Sequence, residues 1–295
     1  MNNVIQINSK AKTTNLLNIS RTHNNYGLIG LALIIIIQIG LWYANLWHPI
    51  VLSGLLVFGI VWIKYTKEYG ELVTNSNNKI LKMIINSHFS QASYHPKKYI
   101  FKKYFLISGL YNSMSYTIKG NSLLKGEDWF ISNIEASLPK TKNQIIVFDG
   151  IFAKIKMQNN INGSVVIKPL PVKEKAIIPE ILQNLIHRYY TPKVDSTKSG
   201  NAIFDEKFET FASSPATQNK IITKKLIKSI LAIDETINYY FGKEYNGMEL
   251  SFNNNHIYIG IKGIKLFNNE ENSTFDTDIT QKYIEVIKQI TNINK

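Results

Sequence analysis

Cysteine is absent from the 295 residues. That excludes thiolate metal centres and disulfide staples, and it fits a reducing compartment. The six histidines (His23, His48, His88, His95, His187 and His256) form no HxxxH or HExxH pair, which excludes the usual zinc-hydrolase spacing. GxxxxGK, GxGxxG and GxSxG are all missing, and with them go the P-loop, the dinucleotide-binding turn and the nucleophile elbow. Acids are scarce, at 21 Asp and Glu against 34 Lys and Arg. The few that cluster, Glu127-Asp128, Asp205-Glu206 with Glu209, and Asp234-Glu235, are the only carboxylates placed for acid-base work. Neighbours on a strand point to opposite faces, so neither Glu127-Asp128 nor Asp205-Glu206 need share a site, and the clusters read as solvated surface charge. No residue is assigned to catalysis, a cofactor or a metal, and the chain reads as a non-enzyme.

The most informative absence is that of charge between Gly27 and Ile63. Two apolar segments, 27–44 and 49–63, are separated by Asn45-Leu-Trp-His-Pro49. The first has the length that a hydrocarbon core of roughly 30 Å requires of a helix. The pattern predicts a transmembrane helical hairpin over 27–65. Its interfacial aromatics are Trp42, Tyr43 and Trp47 at one end and Trp62 and Tyr65 at the other. A cleaved signal peptide fits poorly, because bulky residues follow the first run and a second run comes at once. With no ionisable residue inside, the hairpin is a poor transport path.

The positive charge gathers beside this stretch. Residues 1–26 carry Lys10, Lys12 and Arg21 and no acid, while residues 64–103 carry eight lysines against Glu68 and Glu71. An uncharged connecting loop between basic flanks predicts both termini in the cytosol. Lys10, Lys12, Arg21, Lys64, Lys67, Lys97, Lys98, Lys102 and Lys103 are the candidates for contact with an anionic membrane surface. Tyr94-His-Pro-Lys-Lys-Tyr-Ile-Phe-Lys-Lys-Tyr104 interleaves bases with aromatics, a pattern read as lipid contact or ordinary packing rather than nucleic-acid binding.

Beyond the hairpin, helical spacing predicts one or more juxtamembrane helices over 66–93, feeding a domain over 94–295. Strands are predicted at 114–119, 129–135, 144–148, 151–157, 164–168, 204–211, 248–252 and 256–261. Asn162-Gly163 is a turn signal, so 151–157 and 164–168 are expected to pair as a hairpin. Helices are expected over 217–233 and after Asp278, read as an N-cap. The prolines Pro169, Pro171 and Pro179 mark a linker, with a second unit starting near 203 as one arrangement, so that two units would meet near 170–203. The expected class is α+β with a largely antiparallel sheet.

Tyr94-His-Pro, Phe105 to Tyr111, Phe148-Asp-Gly-Ile-Phe152, Phe204 to Phe211 and Leu250 to Ile259 follow one another in a recognisable order. Over residues 90–270 the chain resembles a bacterial family known as domain of unknown function 3137, whose members often carry two N-terminal membrane spans. It departs from that pattern at Ser213-Ser-Pro-Ala216, where the family tends to place an acid, and in an enlarged connection over 173–200. The resemblance implies a membrane-anchored cytosolic domain without established activity, and it supplies no catalytic residues.

The reading that follows is a membrane-anchored cytosolic adaptor of the bacterial inner membrane, binding a protein or a lipid surface. Its partners are the bilayer and another membrane or cytosolic protein, with no nucleic acid and no cofactor; homo-oligomerisation stays open. A secreted effector inserted in a host membrane and an enzyme of unrecognised type are the alternatives.

Overall fold

The computed structural model describes residues 49–111, 116–138, 145–158, 162–170, 196–253, 255–267 and 276–293. The apolar segment 27–44 and the residues Lys10, Lys12, Arg21, Trp42, Tyr43 and Trp47 lie outside them, as does the linker over 171–195. The second apolar segment opens a helix, α1 (Pro49–His88), which runs on through the expected boundary at 65 and through the polar stretch 74–78 without a break. Among the described residues no helix is long and apolar enough to cross a membrane.

The chain divides into two compact units, 1–76 with 269–275, and 77–268 with 276–295. The second unit starts inside α1 rather than at 94, because Leu81 and Ile85 are buried in its core. Its nine described strands are β1 (Ser93–His95), β2 (Thr117–Lys125), β3 (Trp129–Leu138), β4 (Ile145–Lys156), β5 (Val165–Pro169), β6 (Ser196–Thr197), β7 (Phe208–Ala212), β8 (Met248–Asn253) and β9 (His256–Lys262). They form one sheet in the order β1-β2-β3-β4-β9-β8-β5-β7-β6, and every pairing in it is antiparallel. The expected α+β class holds for this unit. No separate domain begins near 203, because β5 and β7 are neighbours in the same sheet.

Two expectations about the strands fail, one about their number and one about their pairing. The stretches 144–148 and 151–157 are one strand, β4, since Asp149-Gly150 does not turn the chain. A Cβ at Gly150 would overlap the Ile261 carbonyl oxygen, so glycine there allows the backbone to lie close against β9. The hairpin expected across Asn162-Gly163 does not form: β4 pairs with β3 and β9, and β5 with β7 and β8. The turn is tied elsewhere, the Ser164 amide donating to Ser213 Oγ at 3.1 Å and the Thr217 hydroxyl to the Asn162 carbonyl at 3.2 Å.

Residues 204–211, expected as a strand, split into a helical turn and β7. Asn201 caps the short helix α3 (Ala202–Lys207) by accepting from the Phe204 amide at 3.1 Å, which outweighs the local alternation. The helix expected over 217–233 is also two: α4 (Pro215–Ile221), capped by Ser214 with Pro215 in its first turn, and α5 (Lys224–Phe241), capped by Thr223. The last helix, α6 (Thr277–Asn292), is capped by Asp276, whose carboxylate accepts from the amides of Asp278 and Ile279 at 2.8 and 3.0 Å. Asp278, the expected cap, lies in its first turn. Replacing Asp276 by Ala is expected to cost about 1 kcal/mol of unfolding free energy, the usual loss for an N-cap carboxylate, while Asp278→Ala costs less. Urea denaturation of the two variants checks the assignment.

Both sheet faces are covered. One carries Ile131, Ile151, Ala153, Ile155, Ile257, Ile259 and Ile261, all buried. On that side Asn133 makes two hydrogen bonds to the Leu266 backbone, and Tyr283 of α6 packs on Phe267 at 5.5 Å and on Phe241 of α5 at 5.0 Å. The other face carries Phe148, Phe152 and Tyr258, and it is closed by the segment between β1 and β2, which includes the helix α2 (Lys102–Ile107). Phe105 of α2 is fully buried, 4.9 Å from the ring of Tyr111, 5.3 Å from Phe152 and 5.7 Å from Phe148.

Candidate functional site

The face under α2 contains more than hydrocarbon. Register places Ser132, Phe152, Gly260 and Glu249 in one row across β3, β4, β9 and β8, with Lys168 of β5 beyond. Glu249 is 1% exposed. Lys262 pairs with its Oε1, Lys168 lies 3.5 Å from its Oε2, and the Tyr111 hydroxyl donates to Oε1 at 3.0 Å. Both ammonium groups sit 5.7 Å from the centre of the Tyr111 ring, an arrangement in which the ring face also draws the cations. Burial by itself would raise the Glu249 carboxyl. Lys262 and Lys168, with hydrogen bonds from Lys262 and Tyr111, outweigh it and hold the group below its ordinary value.

This buried ion cluster fastens the covering segment to the sheet. Lys168 donates to the Leu110 carbonyl at 3.1 Å and Asn253 to the Ile107 carbonyl at 2.9 Å, while the Ile100 amide donates to Ser132 Oγ at 3.1 Å. One row along, the Lys154 ammonium lies 3.9 Å from the Tyr104 ring centre and 5.6 Å from that of Phe130. Burial pulls Lys154 below its ordinary value, with Tyr104 opposing. Residues 99–111 are therefore held at several points along their length. What they present outward is a surface tied to the sheet beneath it.

That surface is formed by Lys97, Lys98, Phe101, Lys102, Lys103 and Ile107, all exposed. Phe101 is 71% exposed and Ile107 44%, and no acid occurs between Glu71 and Glu127. Four of the sequence candidates, Lys97, Lys98, Lys102 and Lys103, are thus exposed on the same segment as an exposed phenyl ring, and the Lys103 ammonium lies 5.1 Å from the centre of the neighbouring Tyr104 ring. Lys64 and Lys67 belong to the other unit, as do Trp62 and Tyr65; there Lys64 faces Glu68 one turn on, at 4.0 Å, and Trp62 packs on Phe58 at 5.9 Å.

The clustered carboxylates are engaged singly. Asp128 lies 3.5 Å from Lys156, and Asp205 accepts from the Ser199 amide at 2.9 Å. Asp234 accepts from Lys207 at 2.8 Å and from the Tyr245 hydroxyl at 2.5 Å, ties that join α3, α5 and the chain after α5. Sequence reading missed Glu249 altogether. The signal available was a lone acid inside the apolar run Met248-Glu-Leu-Ser-Phe252. It also gave Phe101 no separate weight, because the aromatics of that segment read together, as lipid contact or as ordinary packing.

Comparison with known proteins turns on the sheet and its closing helices. The family described as protein of unknown function, DUF3137, matches residues 146–295. The chain belongs to this family. The match begins in β4 and runs to the end of the chain, so Glu249, Lys168 and Lys262 fall within it. The pieces Tyr94-His-Pro and Phe105 to Tyr111 precede it, which shifts the resemblance over 90–270 toward the C-terminus. The lysine-rich segment is thus outside the DUF3137 match. No curated protein and no solved structure matches the chain.

Proposed function

We propose that this chain is a membrane-anchored, non-enzymatic binding protein whose α+β domain docks on an anionic lipid surface through residues 97–107. The observation that carries the reading is Phe101, 71% exposed on a segment fastened to the sheet, between Lys97-Lys98 and Lys102-Lys103. Lysines near an anionic leaflet contribute about 1 kcal/mol each. An exposed aromatic ring among them can enter the interface, where amphipathic and aromatic side chains settle. The charge-free stretch 27–63 supports an anchor, and the basic residues on both sides of it support cytosolic termini. The single, separate engagements of Asp128, Asp205 and Asp234 favour structural over catalytic roles for those acids.

A fragment beginning at Asn77 retains Leu81 and Ile85 and lacks the apolar stretch. We expect it to sediment with phosphatidylglycerol-containing vesicles, and Phe101→Ala to weaken that binding about tenfold, the loss expected from removing a partly buried phenyl group. Because the ring is exposed, the melting temperature should not change. Equal vesicle binding by the two proteins would remove Phe101, and with it the docking reading.

A further inference from the structure

Beside the docking segment lies a second group of cations. The register of β1 and β2 pairs Ser93 with Lys125 and His95 with Leu123, so His95 and Lys125 are diagonal neighbours on one face of that ribbon. Lys98 returns to the same place, since its amide donates to the His95 carbonyl at 3.2 Å. That turn is fixed to β2 by Ser122 donating to the Pro96 carbonyl at 2.8 Å and Leu123 to the Lys98 carbonyl at 3.0 Å. Lys82, on the part of α1 in this unit, is the third ammonium acting on His95.

Lys82, Lys98 and Lys125 are exposed, and His95 is half-buried. Burial first, then Lys98, Lys82 and Lys125, push the His95 imidazole below its ordinary value. At neutral pH it therefore offers a ring N–H without adding to the repulsion among the lysines. The three positive charges come from three elements, the helix, the turn and the strand, and no carboxylate acts on the histidine among them. A single anionic charge would leave most of this repulsion in place. A phosphomonoester carries about −1.5 to −2 charges at neutral pH and three strong acceptor oxygens, which meets both the charge and the donors. A phosphodiester has only one charge to offer.

We propose that Lys82, His95, Lys98 and Lys125 form a binding site for a lipid phosphomonoester headgroup, of the kind phosphatidic acid presents. The inference rests on the docking reading for its choice of a lipid source, because Lys98 belongs to both surfaces. Lysine serves here as a point-charge phosphate ligand, with the imidazole as the directional donor.

The test uses the full chain in neutral detergent, titrated with dioctanoyl phosphatidic acid, dioctanoyl phosphatidylglycerol and glycerol 3-phosphate. Wild type should bind the phosphatidic acid about tenfold more tightly than the phosphatidylglycerol, the difference of one added charge-assisted hydrogen bond. Lys82→Gln combined with Lys125→Gln, both on the exposed surface, should reduce the two affinities to one value, and His95→Gln should lower the preference in part. Equal affinity of wild type for the two lipids overturns the site. Binding of glycerol 3-phosphate as tight as that of phosphatidic acid overturns the lipid assignment and makes the ligand a soluble phosphomonoester. If Phe101→Ala leaves vesicle binding unchanged while the phosphatidic acid preference stands and is lost in the double variant, the docking reading has failed and the anion site has not.

Discussion

Glu249→Gln is expected to destabilise the domain by about 3 kcal/mol or more, the usual penalty for breaking a buried ion pair from one side. The carboxylate is 1% exposed and serves Lys262, Lys168 and the Tyr111 hydroxyl together. Taking away its charge leaves the Lys168 side chain, 15% exposed, without its counterion. Replacing Glu249, Lys168 and Lys262 together by apolar residues of similar volume should recover most of the loss, because burying charges costs about as much as their attraction returns. Urea denaturation at constant m-value measures both steps. A Glu249→Gln variant within about 0.5 kcal/mol of wild type would deny the cluster its role, since that is the range of ordinary surface substitutions.

The pH dependence has a definite sign. The Glu249 carboxyl is held below its ordinary value of 4.5 in the folded protein. Its contribution is therefore fully present above that value and is lost as pH falls through the lower, folded value. Wild type should lose stability faster than Glu249→Gln on acidification below pH 4.5, and the two curves should converge.

The second large effect concerns Lys97, Lys98, Lys102 and Lys103. Changing all four to Gln in the fragment from Asn77 removes about 4 kcal/mol of surface attraction at low ionic strength, on the order of a thousandfold in vesicle affinity. All four are exposed, so folding should be unaffected. Raising the salt to about 1 M shortens the screening length to about 3 Å and should bring wild type close to the variant. Unchanged binding of the variant to phosphatidylserine or phosphatidylglycerol vesicles would sink the lipid reading.

Local signals in the sequence marked some elements correctly and misled on others. The strands β8 and β9 were legible because two alternating runs flank Asn253-Asn-Asn255 with nothing between them to mislead. The turn at Asn162-Gly163 was equally real, yet a turn does not say which strands will pair across it. Here β9 and β8 intervene between β4 and β5, and nothing near residue 162 encodes that. Phe204 to Phe211 had a strand's alternation, but the capping oxygen of Asn201 decided its first half. The cap of α6 was misplaced by two residues, between two aspartates equally suited to it.

The candidate surface was half legible for the same reason. Four lysines in a stretch without acids are visible in one dimension, whereas the fastening beneath them involves Tyr111 and Glu249, 138 residues apart. Phe101 could be told from Phe105 only by which of them the sheet covers. In the sequence both are aromatic residues within two positions of Lys103.

The strand order has a consequence for synthesis on the ribosome. β1 to β4 are neighbours in chain order and can assemble as they emerge, but β4 then waits with an open edge, and β5 has no place beside it. The strands that fill the gap, β8 and β9, are made some hundred residues later, across Met248–Lys262. Until that hairpin is inserted, the buried glutamate it carries cannot meet Lys168 of β5, and the two halves of the sheet remain separate pieces with hydrogen-bonding edges exposed to any other strand nearby.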